Sequence, residues 1–212
     1  MKKQFTNNLQ NKVKEFQETF GHPSQEIPTL IDIKRFTDRQ VFLIEESVEG
    51  IHALAKDMDE FTHYFKHMMD GIRNAYHKQL EKKHPKSQND KLVAIADAVV
   101  DGLYFKFGDG VELGVDLELV MNHVHNSNMS KLFEDENGNK YVKYREGDGK
   151  VLKSPLFEEP EPKIKEEIEN QLKGSKGGYI VGNLEVNDLI PKEVTVNKGE
   201  VILNKQDAKN II

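Results

Sequence analysis

The strongest constraint on this chain is a helical repeat of apolar residues that persists from about Asp38 to Lys82. That passage is too long for one ordinary globular helix, so it must break and reverse, with Gly50 and Gly71 as candidate breaks. Residues 8–20 read as an earlier helix, with Leu9, Val13, Phe16 and Phe20 at helical spacing. Gly21, Pro23 and Pro28 then enforce a turn and an extended passage. After a polar loop at 82–90, "KLVAIADAVVDGLYFKFG" reads as a helix stopping at Gly108, and another starts from about Asp116, an acceptable N-cap. Beyond residue 133 the turn signals Asn137-Gly138 and Asp148-Gly149 frame "KYVKY" as a β-hairpin or ordered arm. A proline-rich joint leads to a short charged helix ending at Gly174, and the Val/Ile-rich remainder reads as three or four short strands. These predict a helical domain over 1–162, with its arm at about 133–160, and an appendage over 163–212 of a short helix plus a small β element. The 212 residues suffice for such a domain, but the last 35 or so could hardly fold alone.

The carboxylates matter most for chemistry. "IEESVEG" places Glu45, Glu46 and Glu49 within five positions. On a helix Glu49 lies beside both others, and three like charges repel unless a cation or basic partner neutralises them. Asp97 and Asp101 repeat the i, i+4 spacing in "VAIADAVVDGLYF", which is apolar almost all round. Such a helix is expected to be buried, and buried carboxylates need pairing or a metal. With the two helices side by side, up to five carboxylates surround one space. That donor set suits Mg²⁺, which takes oxygen ligands and shares them with waters and substrate phosphates. A glutamate not used as a ligand could orient an attacking water as general base. A solvated acidic face remains the plain alternative for "EESVE".

Other sites find less support. His63 and His67 have i, i+4 spacing but no third ligand in view, and His123 and His125, two apart, face different directions. There is no GxxxxGK[ST], and "GDGVELG" follows no strand. Without cysteine there is no disulfide, zinc–thiolate site or thiol nucleophile, which fits a reducing, cytoplasmic setting. The lysines of "MKKQFTNNLQNKVKEF" precede no apolar run, so no signal peptide is expected. No window approaches the roughly 18 apolar residues of a membrane helix, so no membrane partner is expected. A net charge of −6 argues against nucleic-acid binding but not against a nucleotide, whose phosphates a carboxylate-held metal could meet.

The order of motifs then resembles the all-α NTP pyrophosphatase superfamily of MazG and dimeric dUTPase type, and most its phosphoribosyl-ATP pyrophosphohydrolase-like branch. Glu45-Glu46-Ser47-Val48-Glu49 matches EExxE, "ADAVVDGLYFKFG" resembles the second metal helix, "VHNSNMSK" is similar to the close of the next helix, and "DGKVLKSPLFEEP" to the C-terminal arm. The likeness covers most of residues 12–160. It implies an all-α fold, an antiparallel helical bundle, here with a β-hairpin arm and a strand-rich C-terminal appendage. It also implies Mg²⁺-dependent hydrolysis (Mn²⁺ being an alternative) of a nucleoside triphosphate to the monophosphate and pyrophosphate, by a homodimer or homotetramer.

Carried over by position, Glu46, Glu49 and Asp101 match metal ligands, and Glu45 a ligand or water-orienting group. Asp97 falls one residue earlier than an ExxD pattern would put it. Asn128 and Lys131 match positions suited to phosphate and sugar contacts, with Asn128 as a plain helix cap the alternative. Arg39 and Lys153 are further candidates for the phosphate chain, and Tyr104 for stacking on the base; a helix-surface ion pair is the plain alternative for Arg39, and a core position the more ordinary role for Tyr104. Phosphoribosyl-ATP hydrolysis in histidine biosynthesis is the alternative reaction, and a non-catalytic helical interaction protein the alternative class. The passage around 56–90 lengthens the gap between the two acid motifs, and the tail has no counterpart in the family pattern.

Overall fold

The computed structural model describes residues 4–147 and 149–174. Among these the fold is all-α with a small β-hairpin: α1 (Asn8–Thr19), α2 (Ile33–Leu54), α3 (Met58–Leu80), α4 (Gln88–Leu113), α5 (Leu117–Met129), β1 (Phe133–Glu134), β2 (Lys140–Tyr141) and α6 (Glu161–Gly174). The strands expected in the tail lie outside the described residues.

Side-chain caps set most of the helix starts. Asn7, Asp32, Asp57 and Asp116 each accept a hydrogen bond from a backbone N–H in the first turn of the following helix. Each thereby satisfies a donor that has no carbonyl partner inside the helix. The long repeat breaks between Leu54 and Met58, not at Gly50 or Gly71, which both lie inside helices. The cause is local: Asp57 caps Glu60 N at 2.8 Å, and the Glu60 carboxylate reaches back to Lys56 N at 2.8 Å. An exposed mid-helix glycine costs only about 1 kcal/mol, which such a cap and the long flanking helices outweigh. Likewise α4 runs through Gly108 and stops at Gly114, whose φ of +65° is the left-handed conformation that ends helices.

The chain divides into two units, one formed by Met1–Ser24 with Leu103–Ile212, the other by Gln25–Gly102. In the first, α5 packs against α1 and α6. Phe20, just past α1, is its fully buried apolar side chain, stacked on Phe16 at 4.4 Å between ring centroids. Tyr144 donates to the Phe20 carbonyl at 2.6 Å and ties the arm to this point. Gly110 is buried under Leu117, and a Cβ there would come 2.5 Å from the Leu117 side chain, so the position has room only for glycine. Gln171 of α6 accepts from Asp116 N at 2.8 Å and so grips the start of α5. The hairpin pairs Phe133 with Tyr141 and Glu134 with Lys140, antiparallel. Its turn is closed by Asp135, whose carboxylate accepts from Asn137 N, Asn139 N and Asn139 Nδ2. These bonds hold the Asp135 carboxyl below its usual pKa, those from Asn139 contributing most.

In the second unit α2 packs on α3 as a helical hairpin. None of the residues Gln25–Gly102 is buried. The apolar helix around Asp97 is therefore exposed rather than enclosed, with Val93 and Val100 each 61% exposed. The apolar pattern reports what the helix can bury, and the described residues do not supply the surface to bury it. No helix among the described residues is long and apolar enough to cross a membrane.

Candidate active site

All five predicted acids fall in the Gln25–Gly102 unit. Glu45, Glu46 and Glu49 occupy the second half of α2, Asp97 and Asp101 the middle of α4, and all are exposed. Ser47 between them is engaged by its own helix, donating to the Leu43 carbonyl at 2.8 Å. A cleft of about 220 Å³ in the same unit is lined by Phe36, Arg39 and Gln40 of α2 and by Leu92, Ile95 and Val99 of α4.

At 3.6 residues per turn each position advances about 100°. Asp97 and Asp101 therefore lie about 150–170° round α4 from the line through Leu92, Ile95 and Val99. On α2, Glu45 and Glu49 lie about 130–170° round from the Phe36–Gln40 side, and Glu46 about 75°. Glu45, Glu49, Asp97 and Asp101 thus lie on the sides of their helices turned from that cleft, with Glu46 at its flank. Among the described residues no three His, Asp or Glu groups stand together as a metal site. Carboxylate oxygens are the right donors for a hard cation such as Mg²⁺, but their arrangement within one chain does not fit one, and no catalytic step through a metal is derived from it.

Arg39 lines the cleft and forms no ion pair among the described residues. Tyr104 is 79% exposed, not in a core. His63 and His67 are exposed on α3. His123 and His125 have structural partners: His125, buried, stands 3.2 Å from Glu15 of α1, and His123 stands 3.6 Å from Glu167 of α6.

The basic candidates fall in the other unit. Lys131, just beyond α5, is half-buried and donates to Asn128 Oδ1 at 2.6 Å. The Asn128 side chain therefore orients a lysine, and the cap that closes α5 is Ser130, not Asn128. Burial pushes the Lys131 ammonium below its ordinary pKa of 10.5, and the like charges of Lys153 and then Lys150 push the same way, against Glu159. Lys153 donates to Glu159 Oε1 at 2.8 Å and lies 4.1 Å from the centre of the Phe157 ring. Sequence singled out Lys131 and Lys153 but not Lys150; its signal is the three-residue spacing in "KVLK", meaningful only once the arm is seen to fold back.

Two serines pin that arm. Buried Ser154 donates to the Ser130 carbonyl at 2.8 Å and accepts from Leu156 N at 3.0 Å. Ser130 Oγ donates to the Ser127 carbonyl at 2.7 Å and accepts from Glu158 N at 3.0 Å. Ser154→Ala leaves both partners of a buried hydroxyl unmatched and should cost about 1–3 kcal/mol in urea unfolding. An unchanged midpoint would show that the clasp does not hold the arm.

Residues 13–128 match the family model of phosphoribosyl-ATP pyrophosphohydrolase. Among solved structures, the chain is similar to a provisionally named NTP pyrophosphohydrolase from Exiguobacterium sp. 255-15. The two share 33% identity, with 79% of this chain and 97% of that one covered and a TM-score of 0.73. No curated protein matches.

Proposed function

Because the chain belongs to the phosphoribosyl-ATP pyrophosphohydrolase family, we propose that it hydrolyses nucleoside or deoxynucleoside triphosphates to the monophosphate and pyrophosphate, cleaning the nucleotide pool. The observation carrying this substrate class is the 33% identity to a protein named as an NTP pyrophosphohydrolase, over nearly all of that protein. The family description itself favours a second reading, phosphoribosyl-ATP as substrate. Both readings break the same bond. Water attacks the α-phosphorus, the bridging oxygen leaves with the β-phosphate, and the water's proton needs an acceptor.

Glu45 is assigned as the group that orients and deprotonates that water. Glu46, Glu49, Asp97 and Asp101 are assigned to the cation, Mg²⁺ or Mn²⁺, that such anhydride chemistry uses. Lys131, Lys150 and Lys153 carry the chemistry for an anionic phosphate chain, with Asn128 positioning Lys131; lysine acts there as a point charge. Arg39 and Tyr104 are assigned to phosphate and base contacts. The active protein is a homodimer or homotetramer.

The test is a panel of NTPs, dNTPs and phosphoribosyl-ATP, with and without Mg²⁺, read by pyrophosphate release. Release from the triphosphates supports the first reading, and release from phosphoribosyl-ATP alone the second. No release from any of them overturns both.

Lys131 gives the phosphate assignment a pH signature. With its pKa lowered, the free lysine loses its proton, and with it the anion's partner, below the pH at which an ordinary lysine does. Binding of inorganic pyrophosphate should therefore weaken as pH rises toward 10.5, about tenfold over the titration. Lys131→Arg, which stays charged, should flatten that slope, and calorimetry across pH would show it. The same slope in Lys131→Arg would remove Lys131 from the phosphate site.

A further inference from the structure

Lys131 and Lys153 are held in different ways. Lys131 donates to the Asn128 amide oxygen at 2.6 Å, a neutral acceptor that orients the ammonium and leaves its charge uncompensated. Lys153 donates to the Glu159 carboxylate at 2.8 Å, a partner that cancels its charge. The empty protein thus already supplies an anion to one of the cations assigned to the phosphate chain. Glu159 also acts on Lys131, where it opposes the like charges of Lys153 and Lys150.

Backbone bonds fix Glu159 on both sides. Glu158 N donates to Ser130 Oγ at 3.0 Å, next to Lys131 in the chain. The Pro160 carbonyl accepts from Lys163 N at 3.0 Å and Ile164 N at 2.9 Å, in the first turn of α6. Between these neighbours the side chain is what is left to move. It is 57% exposed, so its carboxylate can turn into water without leaving a buried group unpaired. Lys153 has a second hold, its ammonium lying 4.1 Å from the centre of the Phe157 ring, and so stays in place when Glu159 leaves. An exposed pair of this kind contributes little to folding. Its effect falls on whatever else would take the lysine.

We infer that Glu159 is an internal competitor for the phosphate chain: it neutralises Lys153 in the empty protein, yields the lysine to a phosphate group, and takes it back as pyrophosphate leaves. The inference rests on the reading of Lys131, Lys150 and Lys153 as phosphate contacts. Binding at Lys153 is then an exchange of one anion for another. The hold on pyrophosphate reflects the difference between two ion pairs rather than one pair in full, which keeps a highly charged product from lingering.

The experiment titrates inorganic pyrophosphate into the full chain by calorimetry, at about 0.1 M salt and without divalent cations, so that distant charges are screened. Glu159→Gln should tighten binding by about two- to fivefold, the worth of an exposed ion pair expressed as an equilibrium constant. Glu161→Gln removes the same charge from an exposed glutamate that has no ion pair among the described residues, and should leave binding nearly unchanged. In a Lys153→Gln background, Glu159→Gln should bring no gain, because the carboxylate then has no cation to withhold.

Equal affinity in wild type and Glu159→Gln overturns the inference and leaves the lysine site standing. A gain that persists in the Lys153→Gln background, or that Glu161→Gln matches, also overturns it, since Glu159 would then be one more surface charge. Failure of wild type to bind pyrophosphate overturns the lysine assignment together with the inference.

Discussion

Glu49→Gln should lower pyrophosphate release by about 10²–10³-fold, the usual effect of removing one group that stabilises charge in a transition state. The change removes a charge and keeps the shape. Glu49 is exposed on α2, so its loss should not unfold the chain. It lies one turn from both Glu45 and Glu46, so relief of like-charge repulsion should stabilise the helix by a few tenths of a kcal/mol, about 0.2–0.5. Lower activity with equal or higher thermal stability is hard to obtain from a merely structural residue. Steady-state pyrophosphate release beside a melting curve checks both halves. An unchanged rate would remove Glu49 from the reaction.

The second large effect is on folding. Phe20→Ala should cost about 3–5 kcal/mol, the range for truncating a buried aromatic. Phe20 is fully buried, it stacks on Phe16, and its carbonyl receives the Tyr144 hydroxyl, so the backbone there also anchors the arm. Among the described residues no other large side chain is fully enclosed, so the cavity has little to share its cost with. Urea unfolding followed by circular dichroism measures it. A loss below about 1 kcal/mol would mean that the site collapses around the missing ring and that the unit is held elsewhere.

Helix positions were legible because their signals are local. The periodicity of Leu9, Val13 and Phe16 and the cap at Asp116 both act within a turn or two. The breaks were harder. Gly50, Gly71 and Gly108 looked like stops, yet glycine permits an ending without requiring one. The stop after α2 came from the Asp57–Glu60 cap and the stop after α4 from the left-handed Gly114. In the site, the spacing within each acid motif survives intact, since α2 and α4 keep their carboxylates one turn apart. Which side of α4 shares a cleft with α2 depends on where Leu92, Ile95 and Val99 are placed, and that placement is tertiary. No periodicity count distinguishes a face covered by the same chain from one covered by another copy.

The bond from Lys131 to Asn128 bears on how an anion is received. At 2.6 Å it holds the ammonium in one place before any ligand arrives. A free lysine must surrender its rotational freedom to the anion it grips, at about 0.5–1.5 kcal/mol for a flexible side chain. Here much of that freedom is already gone in the empty protein. The incoming phosphate meets a charge that is waiting rather than searching, and recognition depends less on capture than on fit.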